Sequence, residues 1–459
     1  MAGVATIILA AGKGTRMKSR MPKVLHRVCG KPMVGHVLDT AALLGAEKQV
    51  VVIGYGGEEV QAALEGRCMF AWQTEQLGTG HAVMQAEELF LNYTGLVMVL
   101  CGDTPLLTKE LLENLLAEHR KSENTATVLT AYLADPTGYG RIIRSAEGYV
   151  HRIVEQKDAT VEECAVKETN TGIYCFESAE LFPALYSITP NNAQGEYYLT
   201  DVIGLLVQDG KRVGAYMTTD AAQTMGVNSR TQLAEAEVIL RDRIRLSWME
   251  SGVTLMDPAS IFIDMDVTIE PDTTIYPQTW LEGKTTIGKN CVIGPQVHVT
   301  DSTIGEDVHL FFAHVKETRI GNHANIGPYV NLRPGTQLGD DVKVGNFVEV
   351  KNTVVGASSK LPHLSYIGDT TVGSRVNIGS GTITVNYDGK HKSRTVIEDD
   401  AFVGCNSNLV APVTIGQGAY VAAGSTITKD VPPAALGVAR AKQSNIEGWA
   451  QRKKGDKEK

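Results

Sequence analysis

The residues best suited to chemistry fall into two groups far apart in the chain. In the first, Ala10-Ala11-Gly12-Lys13-Gly14-Thr15-Arg16-Met17 follows an apolar run at 4–9, and Pro22-Lys23 comes soon after. Small residues and two glycines behind a first strand let backbone N–H groups approach a phosphate closely, which makes Leu9, Ala10, Ala11 and Gly12 candidate binding positions. Arg16 and Lys23 supply positive charge beside that loop, against the plainer role of solvated surface cations. Asp103, in Cys101-Gly102-Asp103-Thr104-Pro105-Leu106, offers a hard carboxylate oxygen to Mg2+; its structural alternative is a helix N-cap. In the second group His363 supplies an imidazole, the side-chain type most often used as a general base. Arg333, Lys351 and Lys392 accompany it as candidate phosphate ligands, against the plainer role of solubilising cations.

Around the first group the predicted elements alternate. Strand-like runs at 4–9, 49–53, 69–72 and 96–100 are separated by helix-like runs at 58–65 and 79–90, the pattern of a Rossmann-like α/β sheet. Such sheets gather ligands at the carboxyl ends of their strands. Gly12, Asp103 and the run Gln73-Thr74-Glu75-Gln76-Leu77-Gly78-Thr79-Gly80-His81-Ala82 all fall at such ends. The glycine spacing excludes two familiar phosphate loops. No third glycine completes GxGxxG, and Gly12-Lys13 lacks a GxxxxGK[ST] frame.

Around the second group the period changes to six. Ile263, Ile269, Ile275, Leu281, Ile287, Ile293 and Val299 recur at that interval, which neither a helix nor a flat strand sustains, and which marks a parallel β-helix. The phase slips and recovers through Ile320, Ile326, Leu332, Leu338, Val344 and Val350, and again from Ile397 to Ile427. With three hexads to a coil the span holds roughly nine coils. Phase breaks near 304–320, 355–367 and 383–397 predict projecting loops, and His363 falls in one of them. Between the halves, 231–248 carries Leu233, Ala236, Ile239, Leu240 and Ile244 among many charges and reads as a long amphipathic helix.

A chain of 459 residues is too long for one ordinary domain. Its expected division is a first domain at 1–230, a linker helix at 231–250, and a β-helix with a tail at 251–459. A net charge of −9 argues against a general nucleic-acid binder. No apolar run reaches membrane-spanning length, and Met1-Ala2-Gly3 enters the apolar run without a basic segment or cleavage site, so no membrane insertion and a cytoplasmic location are expected. The seven cysteines are odd in number and scattered, without a CxxC pair, which fits reduced thiols. The basic tail ending Arg452-Lys453-Lys454-Gly455-Asp456-Lys457-Glu458-Lys459 is expected to be solvated and disordered.

The first group resembles the LxxGxGTRM…PK signature of sugar-nucleotide pyrophosphorylases, and the second half resembles the left-handed β-helix of hexapeptide acyltransferases. Together, in motif order and spacing up to about Ala450, the chain resembles the family of bifunctional N-acetylglucosamine-1-phosphate uridylyltransferases / glucosamine-1-phosphate N-acetyltransferases. That resemblance implies Mg2+ held by Asp103 and Asn228, with UTP and acetyl-CoA as cosubstrates. It implies that Gln73, Gly78 and Thr79 sit at the uracil edge, and that Gly140, Glu155 and Asn170 engage the sugar, whose hydroxyls suit a carboxylate and amides. In the β-helix it makes His363 the general base, oriented by Glu349, with Arg333, Lys351, Tyr366, Asn377 and Lys392 on glucosamine-1-phosphate. Ser380, Asn386, Tyr387, Cys405, Ala423 and Arg440 would line the acetyl-CoA channel. Cys405 and Ser380 depart from the Ser and Ala common in relatives. A covalent acetyl-Cys405 is chemically conceivable but has no neighbouring His in sequence.

The expected activity is acetylation of glucosamine-1-phosphate, then uridylylation of N-acetylglucosamine-1-phosphate, in bacterial cell-wall precursor synthesis by a homotrimer. One rival is a single-activity sugar-phosphate nucleotidyltransferase whose β-helix regulates or assembles it. Another is a catalytically dead scaffold.

Overall fold

The computed structural model describes residues 3–455. The start at Met1-Ala2 and the tail end at 456–459, where solvated disorder was expected, lie outside the described residues. The chain forms two compact units that divide between Arg243 and Ile244, within the helix Arg230–Glu250. That helix contains the whole expected 231–248 run. Ala236, Leu240 and Ile244 are buried along it at helical spacing, while Val238 and Leu246 are exposed.

The first unit is built on a sheet whose centre is Val4–Ala10, paired in parallel with Lys48–Ile53 on one side and Leu96–Cys101 on the other. Met69–Trp72 extends it in parallel beyond Lys48–Ile53. These strands are near-continuous aliphatic runs because both faces are covered, one by Met33–Leu43 and Lys109–Lys121, the other by Thr79–Met84, Ser178–Leu185 and Thr200–Gln208. The sheet is mixed rather than wholly parallel. Glu168–Glu177 runs antiparallel between Leu96–Cys101 and Ala126–Tyr132, and pairs with the hairpin formed by Arg141–Arg144 and Val150–Val154. The expected helix at 79–90 stops at Met84 and resumes as a 3-10 turn, Glu87–Phe90. Where it breaks, the Gln85 side chain donates to the His81 carbonyl at 3.1 Å, a contact that ties up a helix acceptor.

In the second unit short strands stack in parallel with their neighbours 16 to 18 residues away, as in Thr303↔Arg319, Thr286↔Thr303 and Thr274↔Val292. One face, from Thr268–Ile269 to Val413–Ile415, holds nine strands, matching the expected number of coils. The aliphatic ladder fills the axis, and Ile275, Leu281, Ile293, Leu332, Val344, Ile367, Ile397 and Leu409 are all fully buried. A glycine column runs up one corner because the coils nearly touch there. A Cβ on Gly288 would lie 2.7 Å from the Gly305 carbonyl oxygen, and one on Gly305 would lie 2.9 Å from the carbonyl carbon of Gly321.

The phase breaks have two structural origins. Near 304–320 and 355–367 no loop projects. Leu310, Val315 and Leu361 occupy the axis, and the slip arises where a hexad shrinks to five residues. Such shortened corners carry Asp301, Glu317, Asn352 and Asp369, with φ of 47°, 46°, 46° and 49°. Asn and Asp tolerate that left-handed conformation better than most residues. Only the third break projects. The pairing offset jumps to 25 residues at Thr370↔Thr395, and the extra chain forms a loop closed by a bridge between Tyr387 and Lys392. At the end of the chain, Trp449–Gly455 is an exposed helix where disorder was expected.

Candidate active sites

In the first unit the strand order reverses at Val4–Ala10, and ligands of open α/β sheets bind at such a switch point. The Gly102 amide donates to the Leu9 carbonyl at 2.9 Å and the Tyr55 amide to Ala11 at 3.2 Å, which brings the ends of three strands together. A cavity of about 420 Å3 opens there, lined by Leu9, Ala10, Ala11, Gly12, Lys13, Lys23, Gln73, Gly78, Thr79 and Asp103 among others. Gly14 sits at φ 57° with Lys23 pressed against it, and a Cβ on Gly14 would lie 2.5 Å from the Lys23 Cβ. Glycine at 14 therefore lets Lys23 fold back over the loop. Arg16 is exposed on the short turn Thr15–Met17 and is not among the lining residues.

Lys23 reaches both expected metal ligands. Its Nζ donates to Asp103 Oδ2 at 2.5 Å and to Asn228 Oδ1 at 3.0 Å, although Asn228 lies 205 residues further along the chain. The Val227 amide holds the backbone there by donating to the Asp103 carbonyl at 2.9 Å. A carboxylate oxygen and an amide oxygen already facing one cationic nitrogen are hard donors of the kind Mg2+ accepts. Beside them Cys101 is partly buried, and desolvation, with Asp103 adding to it, pushes its thiol up to about 12, so it stays protonated and unreactive.

Gln73 is almost fully buried, and its amide nitrogen is committed inward, to the Gly78 carbonyl at 3.0 Å and to His81 Nδ1 at 3.1 Å. Its side-chain oxygen takes no part in these contacts. The run Asn191-Asn192-Ala193-Gln194-Gly195-Glu196-Tyr197-Tyr198 braces this loop, since the Tyr197 amide donates to the Leu77 carbonyl at 2.7 Å and Thr79 Oγ1 accepts from the Leu199 amide at 3.0 Å.

Gly140, Glu155 and Asn170 converge. A Cβ on Gly140 would stand 3.3 Å from Glu155 Oε1 and 3.4 Å from the Asn170 Cβ, and the Asn170 amide donates to the Gly140 carbonyl at 2.9 Å. Asn170 is fixed by donating Nδ2 to the Tyr174 hydroxyl at 2.8 Å. Burial raises the Glu155 pKa, and Asp158 and Asp201 raise it further. Those two aspartates and Tyr174 escape sequence reasoning, because their relation to Glu155 and Asn170 exists only after folding.

In the second unit Glu349 and Tyr366 occupy adjacent coils in register. Arg333 Nη1 donates to Glu349 Oε1 at 2.7 Å. The expectation that Glu349 orients His363 is not met within the chain. Asn346, not Glu349, is the register partner of His363, and among the described residues the His363 ring makes no hydrogen bond, while its carbonyl accepts from Ser365 Oγ at 2.8 Å. Nor does His363 lie in a loop. It sits within the strand Lys360–Gly368, exposed beside a bend at Leu364, whose φ is 39°.

The projecting loop brings Asn386 and Lys392 back to this region. Asn386 Nδ2 donates to Asp369 Oδ2 at 2.5 Å, and Asn352 Nδ2 donates to Asp369 Oδ1 at 2.6 Å. Asn377 stands elsewhere, in register with Lys360 and Phe402. Ser380, Cys405 and Ala423 form a column on successive coils. The Asn406 amide donates to the Ser380 carbonyl at 2.7 Å, a Cβ on Gly404 would meet the Ala423 nitrogen at 2.5 Å, and Arg440 Nη1 donates to the Ala423 carbonyl at 2.8 Å. Tyr387 and Cys405 are exposed. Asp369 is the residue of this cluster given no role from sequence. The available signal was an acidic residue at a five-residue corner just before the longest phase break.

A nucleotidyl transferase family profile matches residues 5–254, a GMPPB C-terminal domain profile residues 263–363, and a bacterial transferase hexapeptide profile of six repeats residues 394–429. The hexapeptide match fits the left-handed form of the parallel β-helix. The bifunctional protein GlmU of Heliobacterium modesticaldum is 55% identical over 447 residues, covering 97% of this chain and 98% of that protein. The GlmU of Geobacillus thermodenitrificans is 54% identical over 98% of each chain, and that of Halalkalibacterium halodurans 53% identical over 97% of this chain and 98% of that one. At such identity over nearly the whole of both chains, this protein belongs to the family of bifunctional GlmU proteins.

Proposed function

We propose the following division of labour in a bifunctional enzyme that acetylates glucosamine-1-phosphate from acetyl-CoA and then transfers a uridylyl group from UTP to the N-acetylglucosamine-1-phosphate formed. The observation that carries it is that each compact unit holds its own polar cluster, Lys23 with Asp103 and Asn228 in one, and Arg333, Glu349, Tyr366 and Asp369 in the other.

In the first unit a phosphate oxygen of the sugar phosphate attacks the α-phosphorus of UTP, and the bond to the bridging oxygen breaks, so that pyrophosphate leaves with the electron pair. Such a displacement is accelerated by alignment and charge neutralisation rather than by a protein nucleophile. Backbone N–H groups from Leu9 to Gly12 cradle the phosphates, Arg16 and Lys23 neutralise them, and Gln73, Gly78 and Thr79 seat the uracil. Gly140, Glu155 and Asn170 hold the amino sugar. Asp103 and Asn228 would hold Mg2+, which supplies positive charge to the phosphates.

In the second unit Arg333, Lys351 and Lys392 bind the phosphate of glucosamine-1-phosphate, while Tyr366 and Asn377 orient the sugar. His363 accepts a proton from the amine as its nitrogen attacks the thioester carbonyl; the C–S bond breaks, and CoA leaves with the electron pair and takes up a proton. Ser380, Asn386, Tyr387, Cys405, Ala423 and Arg440 line the acetyl-CoA channel. The enzyme works as a homotrimer in the cytoplasm; among the described residues no helix is long and apolar enough to cross a membrane.

The test is mass spectrometry of products from purified protein given glucosamine-1-phosphate, acetyl-CoA, UTP and Mg2+, with each cosubstrate omitted in turn. UDP-N-acetylglucosamine from the full mixture, and N-acetylglucosamine-1-phosphate alone without UTP, is the expected result. Uridylylation of supplied N-acetylglucosamine-1-phosphate without any acetyl transfer would overturn the assignment of the second site.

A further inference from the structure

At its start the projecting loop is tied to the β-helix through one buried side chain, while Arg394 Nε at its far end donates to Thr371 Oγ1 at 3.0 Å. Asp369 lies at a shortened corner with φ 49° and is 9% exposed. Both of its carboxylate oxygens are used, one accepting from Asn352 Nδ2 on the coil before, the other from Asn386 Nδ2 at the start of the loop. Its main chain holds the other end of the loop, since the Thr395 amide donates to the Asp369 carbonyl at 3.3 Å. Burial alone would raise the Asp369 pKa. The hydrogen bonds from Asn352 and Asn386, with Lys351 and Lys392 nearby, outweigh that and hold it below the ordinary carboxylate value. Corner geometry accounts for an Asp or Asn at 369, but an Asn would satisfy the corner equally well. A carboxylate with an amide on each oxygen and two ammonium groups close by points to more than a turn.

We propose that Asp369 is a positioning residue of the acetyl-transfer site: it clamps both ends of the 386–394 loop to the β-helix, and so presents Asn386 and Lys392 to acetyl-CoA and the amino-sugar phosphate. This rests on the proposed acetyl-transfer reading of the second unit. Removing the carboxylate frees the start of the loop, leaves the main-chain bond from Thr395 in place, and makes no change in the nucleotidyl unit. Removing only the charge leaves the hydrogen bonds repairable, because the Asn352 amide can turn to offer its oxygen to a new amide at 369.

The test compares wild type with Asp369→Ala, Asp369→Asn and the exchange pair Asp369→Asn with Asn352→Asp, in the full chain. Wild-type acetyl transfer is measured first; its absence would refute the acetyl-transfer reading itself, and only its presence brings the clamp to trial. Asp369→Ala is expected to raise KM for acetyl-CoA and lower kcat/KM for acetyl transfer by about ten- to a hundredfold, the loss typical of a charged hydrogen bond. Uridylyl transfer to supplied N-acetylglucosamine-1-phosphate should stay at the wild-type rate. Trypsin should cut selectively after Lys390 and Lys392 in Asp369→Ala, whereas general unfolding would open sites throughout the unit. Asp369→Asn should fall between, and the exchange pair should recover at least half of its lost activity. Wild-type acetyl-CoA KM and an uncut loop in Asp369→Ala would overturn the proposal. Should that variant fail to fold, unchanged kinetics in Asp369→Asn together with no effect of the exchange pair would overturn it as well.

Discussion

Replacing Lys23 by Met separates two roles that its ammonium combines. In the free protein Lys23 Nζ lies 2.5 Å from Asp103 Oδ2 and 3.0 Å from Asn228 Oδ1, with the Lys23 and Asp103 side chains each 16% exposed. A divalent cation that takes both oxygens must first displace that ammonium. A hydrogen bond to a charged group contributes about 1.5–3 kcal/mol, and partial exposure favours the lower end of that range. Because about 1.4 kcal/mol is a factor of ten, Lys23→Met should bind Mn2+ in the absence of nucleotide about tenfold more tightly than wild type. The same substitution removes a cation from the triphosphate, so kcat/KM for uridylyl transfer should fall about a hundredfold. The assay is a Mn2+ titration followed by electron paramagnetic resonance, beside steady-state kinetics at saturating metal. Equal or weaker Mn2+ affinity in a Lys23→Met protein with an unchanged thermal unfolding midpoint would refute the assignment of Asp103 and Asn228 as the cation site.

His363→Ala should abolish acetyl transfer and leave uridylyl transfer of supplied N-acetylglucosamine-1-phosphate intact; equal loss of both would refute the division into two sites. Glu155 accepts sugar hydroxyls best as a carboxylate, and its pKa is raised, so KM for N-acetylglucosamine-1-phosphate should begin to climb at a higher pH than an ordinary carboxylate would cause as the medium is acidified. Glu155→Gln should give a raised KM without that pH dependence. Burial, with Arg120 adding to it, lowers the His119 pKa from 6.5 to about 4, so between those values the unfolded chain binds more protons and folding stability is lost as pH falls. The loss amounts to about 3 kcal/mol across that window, and the stability of His119→Gln, measured by denaturant unfolding, should depend less steeply on pH by that amount.

What the sequence made legible was whatever rests on a repeating or local physical constraint. The ladder of Ile and Val at every sixth position is readable because each coil must refill the same narrow axis, and Ile275, Ile293 and Leu409 are buried accordingly. The glycines at 12 and 14 and the cation at Lys23 are readable as a candidate phosphate loop because such a loop needs small residues and a cation close in sequence, whereas the packing of Lys23 on Gly14 shows only in the fold. Phase breaks were ambiguous for a geometric reason. A one-residue deletion absorbed at a positive-φ corner, as at Asp301 or Glu317, shifts the register as visibly as an inserted loop, but nothing projects. The mixed sheet was hidden because Glu168–Glu177 is an ordinary strand by composition, and only its return from the Arg141–Arg144 hairpin sets it antiparallel.

The two sites differ in how sequence distance becomes contact, and that difference explains which residues could be found. In the sheet unit, strand ends collect groups from anywhere in the chain, so that Lys23 meets Asn228 with no interval to betray it. In the β-helix, away from the coil that carries the projecting loop, a contact between neighbouring coils carries an interval of 16 to 18 residues, as between Asn352 and Asp369 or Glu349 and Tyr366. A polar side chain on the outer face of one coil therefore predicts where its partner must lie on the next. Asp369 could have been found by that interval, counted from Asn352 forward 17 residues and again 17 residues to Asn386. The second interval, equal to the first, closes before the chain leaves the coil, and for that reason the carboxylate holds the start of the loop rather than its tip.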